Sequence, residues 1–414
     1  MANIRPFAAY RPAKEYASTI AALPYDVYNR QEACRVVAAN PGSFLAIDRA
    51  ETGFDDTVDT YAPEVYERAR QLLADWIAEG RFIRETKPCY YLYELVMEGR
   101  HQTGIVACES IDDYLNNVLK KHENTRADKE EDRIRHVDTC NMQTGPIFLT
   151  YRSNRTLKEL IALKKKDEPI YDFVSEDGIV HRVWIVNEDA QICTITETFQ
   201  SISEVYIADG HHRCASAVKV GLKRRAEHPA YTGTEEFNYI MSVLFQEDEL
   251  KILDYNRVVK DLNGLTPQEF LTSIQDRFTV ENFSATKPYS PERKGTFGMY
   301  LDGTWYKLTA KESLYSGDAV KDLDVSILQD NLLQPILGIG DPKTDRRIDF
   351  VGGIRGLEEL ERRVGEDMRV AFSMYPTSIG ELLRVADAGK LMPPKSTWFE
   401  PKLRSGLFLH ELSE

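Results

Sequence analysis

The chain has 414 residues, 42% of them hydrophobic and 29% charged, with a formal net charge of −14. That length can bury a sizeable core in two or three domains, and the acidity excludes a general nucleic-acid binder, which needs a basic face. The cysteines Cys34, Cys89, Cys108, Cys140, Cys193 and Cys214 are scattered without a C-x-x-C pair. They fit reduced core thiols in a cytoplasm rather than a disulfide frame or a zinc site. Met1 to Pro6 has no apolar stretch, so no signal peptide is expected. No run approaches the roughly 18 apolar residues of a membrane span.

Prolines at 6, 12 and 24 make residues 1 to 60 an extended, turn-rich lead-in, with Phe44 to Ile47 strand-like after the turn at Asn40-Pro41-Gly42-Ser43. Pro63 opens a helix with Ala69, Leu72, Leu73, Trp76 and Ile77 on one face, stopped by Gly80. Tyr90 to Met97 and Thr103 to Cys108 read as a hairpin across Glu98-Gly99-Arg100. Asp112 opens a helix through Leu115, Val118 and Leu119. A second helix starts in the acidic cluster Asp128 to Asp132, where carboxylates suit the helix dipole, and carries Arg133, Arg135 and His136 outward. Asn141 to Pro146 breaks it, Ile147 to Tyr151 is a core strand, and Lys164-Lys165-Lys166 reads as a solvated face. Val180 to Val186 and Asn238 to Phe245 are strands.

The texture changes near residue 250. Pro267 to Phe278 is an amphipathic helix, and Gly295 to Leu301 with Trp305 to Leu308 is a hairpin over Asp302-Gly303. Leu323 to Leu333 is helical, and Arg347 to Val351 and Arg369 to Met374 are strands. Thr377 to Ala388 is a helix with a Ser378/Glu381 capping box and Gly389 as its stop.

The richest stretch is Asp209-Gly210-His211-His212-Arg213. The apolar run Val205-Tyr206-Ile207 precedes it as a strand end, and Cys214 to Val220 follows as a helix closed by Gly221. A glycine turn between strand and helix offers free N–H groups and the positive end of the helix dipole to an anion. His211, His212 and Arg213 then sit where a phosphate would rest, and Asp209 is placed to hold a metal. A surface turn with two solvated histidines is the plainer alternative. His122-Glu123, beside Lys120, Lys121 and Arg126, offers a carboxylate that could take a proton from a hydroxyl nucleophile. Pro393-Pro394-Lys395-Ser396-Thr397 suits a loop over a polar substrate. For each of these two, a solvated terminus or connector is the alternative. Gly338-Ile339-Gly340 and Gly352-Gly353 do not continue with Lys-Ser/Thr, so no Walker-type loop is present.

Ala208-Asp209-Gly210-His211-His212-Arg213 resembles the signature of a large bacterial and archaeal family catalogued as a domain of unknown function. Leu23 to Val27, Lys121 to Thr125 and Gly145 to Phe148 are also similar to that family, so the resemblance spans nearly the whole chain. The three motifs resemble, in the same order, those of the free L-serine kinase of the ParB/sulfiredoxin superfamily. That kinase has an Asp-Gly-His-His-Arg turn, an upstream Pro-His-Glu with a catalytic glutamate, and a late Pro-Lys-Thr-Thr substrate loop. Trp398 and Phe399 replace its Arg and His near the substrate carboxylate. His211 stands where sulfiredoxin has its catalytic Cys, and no helix-turn-helix reader of the ParB kind is present.

The resemblance implies an α/β (mixed α+β) chain. Residues 1–250 would form a ParB/sulfiredoxin-like nucleotide-binding domain with an N-terminal extension. Residues 251–414 would form an α/β domain contributing the substrate loop. The expected function is a cytoplasmic small-molecule kinase moving phosphate from ATP or ADP, with Mg²⁺, to the hydroxyl of free L-serine or a related metabolite. Glu123 and Asp209 would be catalytic, Asp209 also holding the metal. Gly210, His211, His212 and Arg213 would bind nucleotide phosphates, and Lys395, Ser396 and Thr397 the acceptor. The expected partners are a nucleotide and a small hydroxyl metabolite, without nucleic acid or membrane. The alternatives are a nucleotide-binding regulator with little turnover and a metal-dependent phosphohydrolase.

Overall fold

The computed structural model describes residues 1–284 and 287–413. Backbone contacts divide the chain into two units, Met1–Leu250 with Pro401–Glu414, and Lys251–Glu400. The first unit thus ends at Leu250 and takes up the chain again from Pro401.

The first unit is built on a mixed sheet of nine strands among the described residues. Its middle is the hairpin Tyr90–Met97 and Arg100–Ser110. Tyr90, Tyr91, Leu92 and Tyr93 are all fully buried, so this strand is covered on both faces, which its nearly continuous apolar run requires. On one side lie Val180–Val186 and Tyr171–Val174. On the other lie Tyr239–Gln246, Ile147–Tyr151, Val205–Asp209 and Leu119–Lys120, in that order.

The last two strands position the site. Leu119–Lys120 runs parallel to Val205–Asp209, with Leu119 opposite Val205 and Lys120 opposite Tyr206. Parallel neighbours end at the same edge of a sheet, so the residues following each, His122-Glu123 and Gly210-His211, emerge together. The sequence reading puts Leu119 in a helix. Instead the helix ends at Leu115, and Asn117 adopts a left-handed backbone (φ 59°) that breaks it. The register of Val205–Asp209 against Ile147–Tyr151 shifts between Ile207 and Asp209, a bulge that re-aims the strand end at the turn.

Helices cover this sheet. Pro63–Ala78 forms as expected, burying Ala69, Leu73 and Trp76. Ala127–Cys140 also forms, ended by left-handed Asn141. Its Arg133 and His136 point inward, however, and are 7% and 3% exposed, because helix packing covers the face expected to meet water. Phe44 to Ile47 is not a strand: Leu45–Asp48 is a buried helical turn, since a short apolar run fits either element when fully buried. Arg30–Ala39, with an Asn29/Glu32 capping box, is a helix where an extended lead-in was expected. His211–Glu227 continues past Gly221 instead of stopping there. A Cβ at Gly221 would lie 2.5 Å from the Phe237 carbonyl oxygen, so this glycine permits close packing of helix on backbone. In the lysine run only Lys166 is exposed: Lys164 pairs with Asp167, and Lys165 reaches Glu94.

The second unit carries an antiparallel sheet of six strands among the described residues, ordered Phe278–Phe283, Thr304–Ala310, Thr296–Leu301, Val370–Ser373, Tyr255–Val259 and Ile348–Gly352. The Asp302-Gly303 hairpin and the Ser378/Glu381 capping box of the helix Ile379–Asp387 are present. The helix from Pro267 ends at Ile274, and Phe278 opens a strand rather than closing that helix.

Candidate functional site

Asp209 ends its strand, and Gly210 caps the helix with φ 91°, a conformation an L side chain resists. The first intrahelical bond runs from the Cys214 N–H to the Gly210 carbonyl at 2.9 Å. The N–H groups of His211, His212 and Arg213 therefore have no partner within the helix and face the turn, as an anion site requires. The 17-residue length gives the helix a full dipole behind them.

The side chains add to this field. One Asp209 oxygen accepts the Gly210 N–H at 2.9 Å, and the other accepts the Lys402 ammonium at 3.0 Å. Burial raises the Asp209 carboxyl, but Lys402 and Arg213 outweigh it and hold the group well below the usual carboxylate range. Asp209 is therefore a fixed anion at neutral pH. Lys402 carries no motif around it, so nothing in the sequence signals this contact. The Arg213 guanidinium donates to the Pro146 carbonyl at 2.7 Å. It also crosses Gly210 so closely that a Cβ there would meet Nη2 at 3.0 Å.

His211 is buried, and its ring meets that of His122 edge-on at 4.5 Å between centroids. Its Nε2 accepts the His122 backbone N–H at 3.5 Å, which leaves the proton on Nδ1, 3.9 Å from Glu123 Oε2. Burial first, then His122, pushes His211 well below the usual imidazole range, and burial pulls His122 down to about 4. Both rings are neutral at physiological pH. Both His122 ring nitrogens are buried without a hydrogen bond among the described residues. His212 Nε2 accepts the Arg126 N–H at 3.0 Å, so it too carries its proton on Nδ1. Tyr114, Lys121, Glu123, Asn124, Thr125 and His211 line a pocket beside the turn. The expected base and the phosphate turn thus share one edge of the sheet. His122, expected only as the neighbour of Glu123, is buried and packs edge-on against the His211 ring.

The other expected residues behave differently. Cys214 is buried in the core and its thiol is pushed up by burial. Among the described residues no group of three or more His, Cys, Asp or Glu is arranged to hold a metal ion. The Lys395 loop lies in the second unit, where the Arg257 guanidinium donates to the Lys395 carbonyl at 3.0 Å. Lys395 is exposed with φ 58°. The Ser396 hydroxyl donates to Pro393 O at 2.6 Å, so it holds the turn rather than projecting from it.

The profile of a family described as "Protein of unknown function (DUF1015)" matches residues 4–326. No curated protein matches the chain. Among solved structures, a free serine kinase in complex with AMP is 13% identical, with a TM-score of 0.36 over 72% of this chain and 91% of its own. SbnI with a C-terminal truncation, from Staphylococcus aureus, is 12% identical, with a TM-score of 0.37 over 72% and 85%. A conserved hypothetical protein from Pyrococcus furiosus is 14% identical, with a TM-score of 0.35 over 73% and 94%. No described helix is long and apolar enough to cross a membrane.

Proposed function

This chain belongs to the DUF1015 family of proteins of unknown function, and from that premise we propose that it is a small-molecule kinase. It would transfer a phosphoryl group from ATP or ADP to the hydroxyl of free L-serine or a related metabolite, on a ParB/sulfiredoxin-like nucleotide-binding core. The observation that carries this reading is the meeting of two distant motifs at one sheet edge, with Glu123 Oε2 3.9 Å from His211 Nδ1 at the start of the phosphate turn.

In this reading the free N–H groups of His211, His212 and Arg213 cradle the nucleotide phosphates, and the Nδ1–H groups of both neutral histidines donate to phosphate oxygens. Neutral imidazoles donate without adding fixed charge, while Arg213 and the helix dipole offset the charge developing on the transferred group. Asp209 would be the residue that holds Mg²⁺, and the ion would supply charge neutralisation at the phosphates. The acceptor oxygen forms a bond to phosphorus as the bond from phosphorus to the nucleotide oxygen breaks. The hydroxyl proton passes to the Glu123 carboxylate, and the electron pair of the breaking bond leaves on the nucleotide.

The test is product analysis. The protein is incubated with ATP or ADP, Mg²⁺ and L-serine, and phosphoserine is sought by mass spectrometry. Serine-dependent product supports the kinase. Nucleotide hydrolysis that ignores serine, or binding without turnover, removes it.

A further inference from the structure

Glu123 stands on a stretch with no helix or strand of its own: residues 121–126 run between the strand Leu119–Lys120 and the helix Ala127–Cys140. A proton acceptor must nevertheless be held in place, since a misplacement of about 1 Å can cost roughly a hundredfold in rate. This stretch is held by the helix of the phosphate turn, His211–Glu227. The His122 backbone N–H donates to His211 Nε2 at 3.5 Å, and the Arg126 N–H donates to His212 Nε2 at 3.0 Å. The two bonds bracket Glu123 in the chain.

A further tie lies behind the turn. Arg126 is the cap residue of the helix Ala127–Cys140, and its side chain makes no capping bond. Thr125 precedes that cap, and Glu130 is the fourth residue of the helix. Apolar side chains at these two positions commonly pack together and fix the angle at which a chain enters a helix. Here the pair is polar, with the Thr125 hydroxyl donating to Glu130 Oε1. Glu130 is 6% exposed, and a buried carboxylate is costly unless it is paired and hydrogen-bonded. Its Oε2 takes the ammonium of Lys219, about two turns along the helix from His212. Burial raises the Glu130 carboxyl, but Lys219 and Thr125 outweigh it and hold the group below its ordinary value. The Ser216 hydroxyl lies 2.7 Å from the His212 carbonyl oxygen and 3.1 Å from that of Glu130, fastening the same two helix starts.

A local cap would need Thr125 and Glu130 alone. Lys219 and the two imidazoles all belong to one helix, so the Glu123 stretch is tied to the element that presents the phosphate-binding N–H groups. We propose that Thr125, Glu130 and Lys219 form a polar staple that fixes Glu123 at the phosphate turn, as positioning residues acting through Glu123. The staple deepens the kinase reading and depends on it only for the effect on turnover.

The test compares the parent, Thr125→Val, which keeps the shape and removes the hydroxyl, and Thr125→Ser, which keeps the hydroxyl. Amide hydrogen exchange at His122 and Arg126 is followed by NMR, and phosphoserine formation is followed with ATP or ADP, Mg²⁺ and L-serine. In Thr125→Val both amides should exchange roughly tenfold faster or more, while amides of the strand Tyr90–Met97 exchange as in the parent. Its kcat should fall roughly tenfold or more, with AMP affinity and nucleotide KM within about threefold of the parent. Thr125→Ser should recover most of both losses. Lys219→Gln, altered at the half-exposed end of the staple, should move both readouts in the same direction and serves if Thr125→Val does not fold. Parental exchange in Thr125→Val overturns the staple, as does parental kcat or a failure of Thr125→Ser to recover. If the parent makes no serine-dependent product, the kinase reading fails, and the exchange comparison alone decides whether the staple holds the stretch.

Discussion

The Lys402 ammonium lies 3.0 Å from Asp209 Oδ2, joining residues 193 positions apart at the mouth of the phosphate turn. Lys402 is the cation that most strongly opposes the effect of burial on this carboxyl, with Arg213 next. Removing Lys402 should therefore move the Asp209 titration upward while Arg213 keeps it from reaching the range set by burial alone. In Lys402→Gln the Asp209 carboxyl ¹³C resonance, followed by NMR, should titrate at higher pH than in the parent. An unchanged titration would mean that Arg213 alone fixes the charge.

Gly210→Ala tests the turn itself. At φ 91° an added Cβ is strained and meets the Arg213 guanidinium at 3.0 Å. The substitution should destabilise the fold by about 1–2 kcal/mol, the ordinary cost of a side chain in a left-handed position. It should also weaken AMP binding more than tenfold by displacing Arg213. Chemical denaturation and calorimetry measure the two effects separately.

The paired imidazoles make stability depend on pH in a definite direction. His122 is depressed to about 4 in the folded chain, against about 6.5 in the unfolded one. Above pH 6.5 both states carry neutral rings and the pair is silent. As pH falls from 6.5 toward 4 the unfolded state takes up the proton first, so folding stability drops, by a few kcal/mol (roughly 1.4 per unit). Below 4 this contribution levels off. Urea midpoints should fall between pH 6.5 and 4 in the parent and fall less steeply in His122→Asn. His211 is shifted in the same direction and keeps part of the slope.

Gly221→Ala should also destabilise, by about 1–3 kcal/mol, because its Cβ would strike the Phe237 carbonyl and backbone must move. Placing the same alanine at solvent-exposed Gly365, where no atom lies within 4 Å, should be neutral or mildly stabilising by its helix propensity. Comparing the two melting temperatures separates close packing from helix propensity.

Gly221 also marks where sequence reading fails. A glycine seven residues after Cys214 looks like a helix stop, and only the approach of Phe237, distant in sequence, explains it. Arg133 and His136 looked solvated for the same kind of reason: their helix has low hydrophobicity, and whether a polar face is exposed depends on what packs on it. Phe44 to Ile47 gave no period long enough to separate strand from buried helix. Local signals did survive where the chain itself dictates the outcome. The Glu98-Gly99 and Asp302-Gly303 turns, the Pro63 helix start, the Ser378/Glu381 box and the strand-to-helix turn at Gly210 are all present. The nearness of Glu123 to His211 was suggested by the order of motifs, and its cause, a parallel pairing of Leu119–Lys120 with Val205–Asp209, was not legible. Lys402 had no sequence signal because an ion pair across 193 residues leaves no local pattern.

The central claim is tested most directly by following phosphoryl transfer in real time with ³¹P NMR, using nucleotide, Mg²⁺ and L-serine, in the parent and in Glu123→Gln. The account predicts a serine-dependent phosphoester signal in the parent. In the variant the rate should fall roughly 10²–10⁴-fold with nucleotide affinity retained, as for loss of a general base. A phosphoester formed at near-parental rate by Glu123→Gln, or no serine-dependent product from the parent with either ATP or ADP, would contradict it.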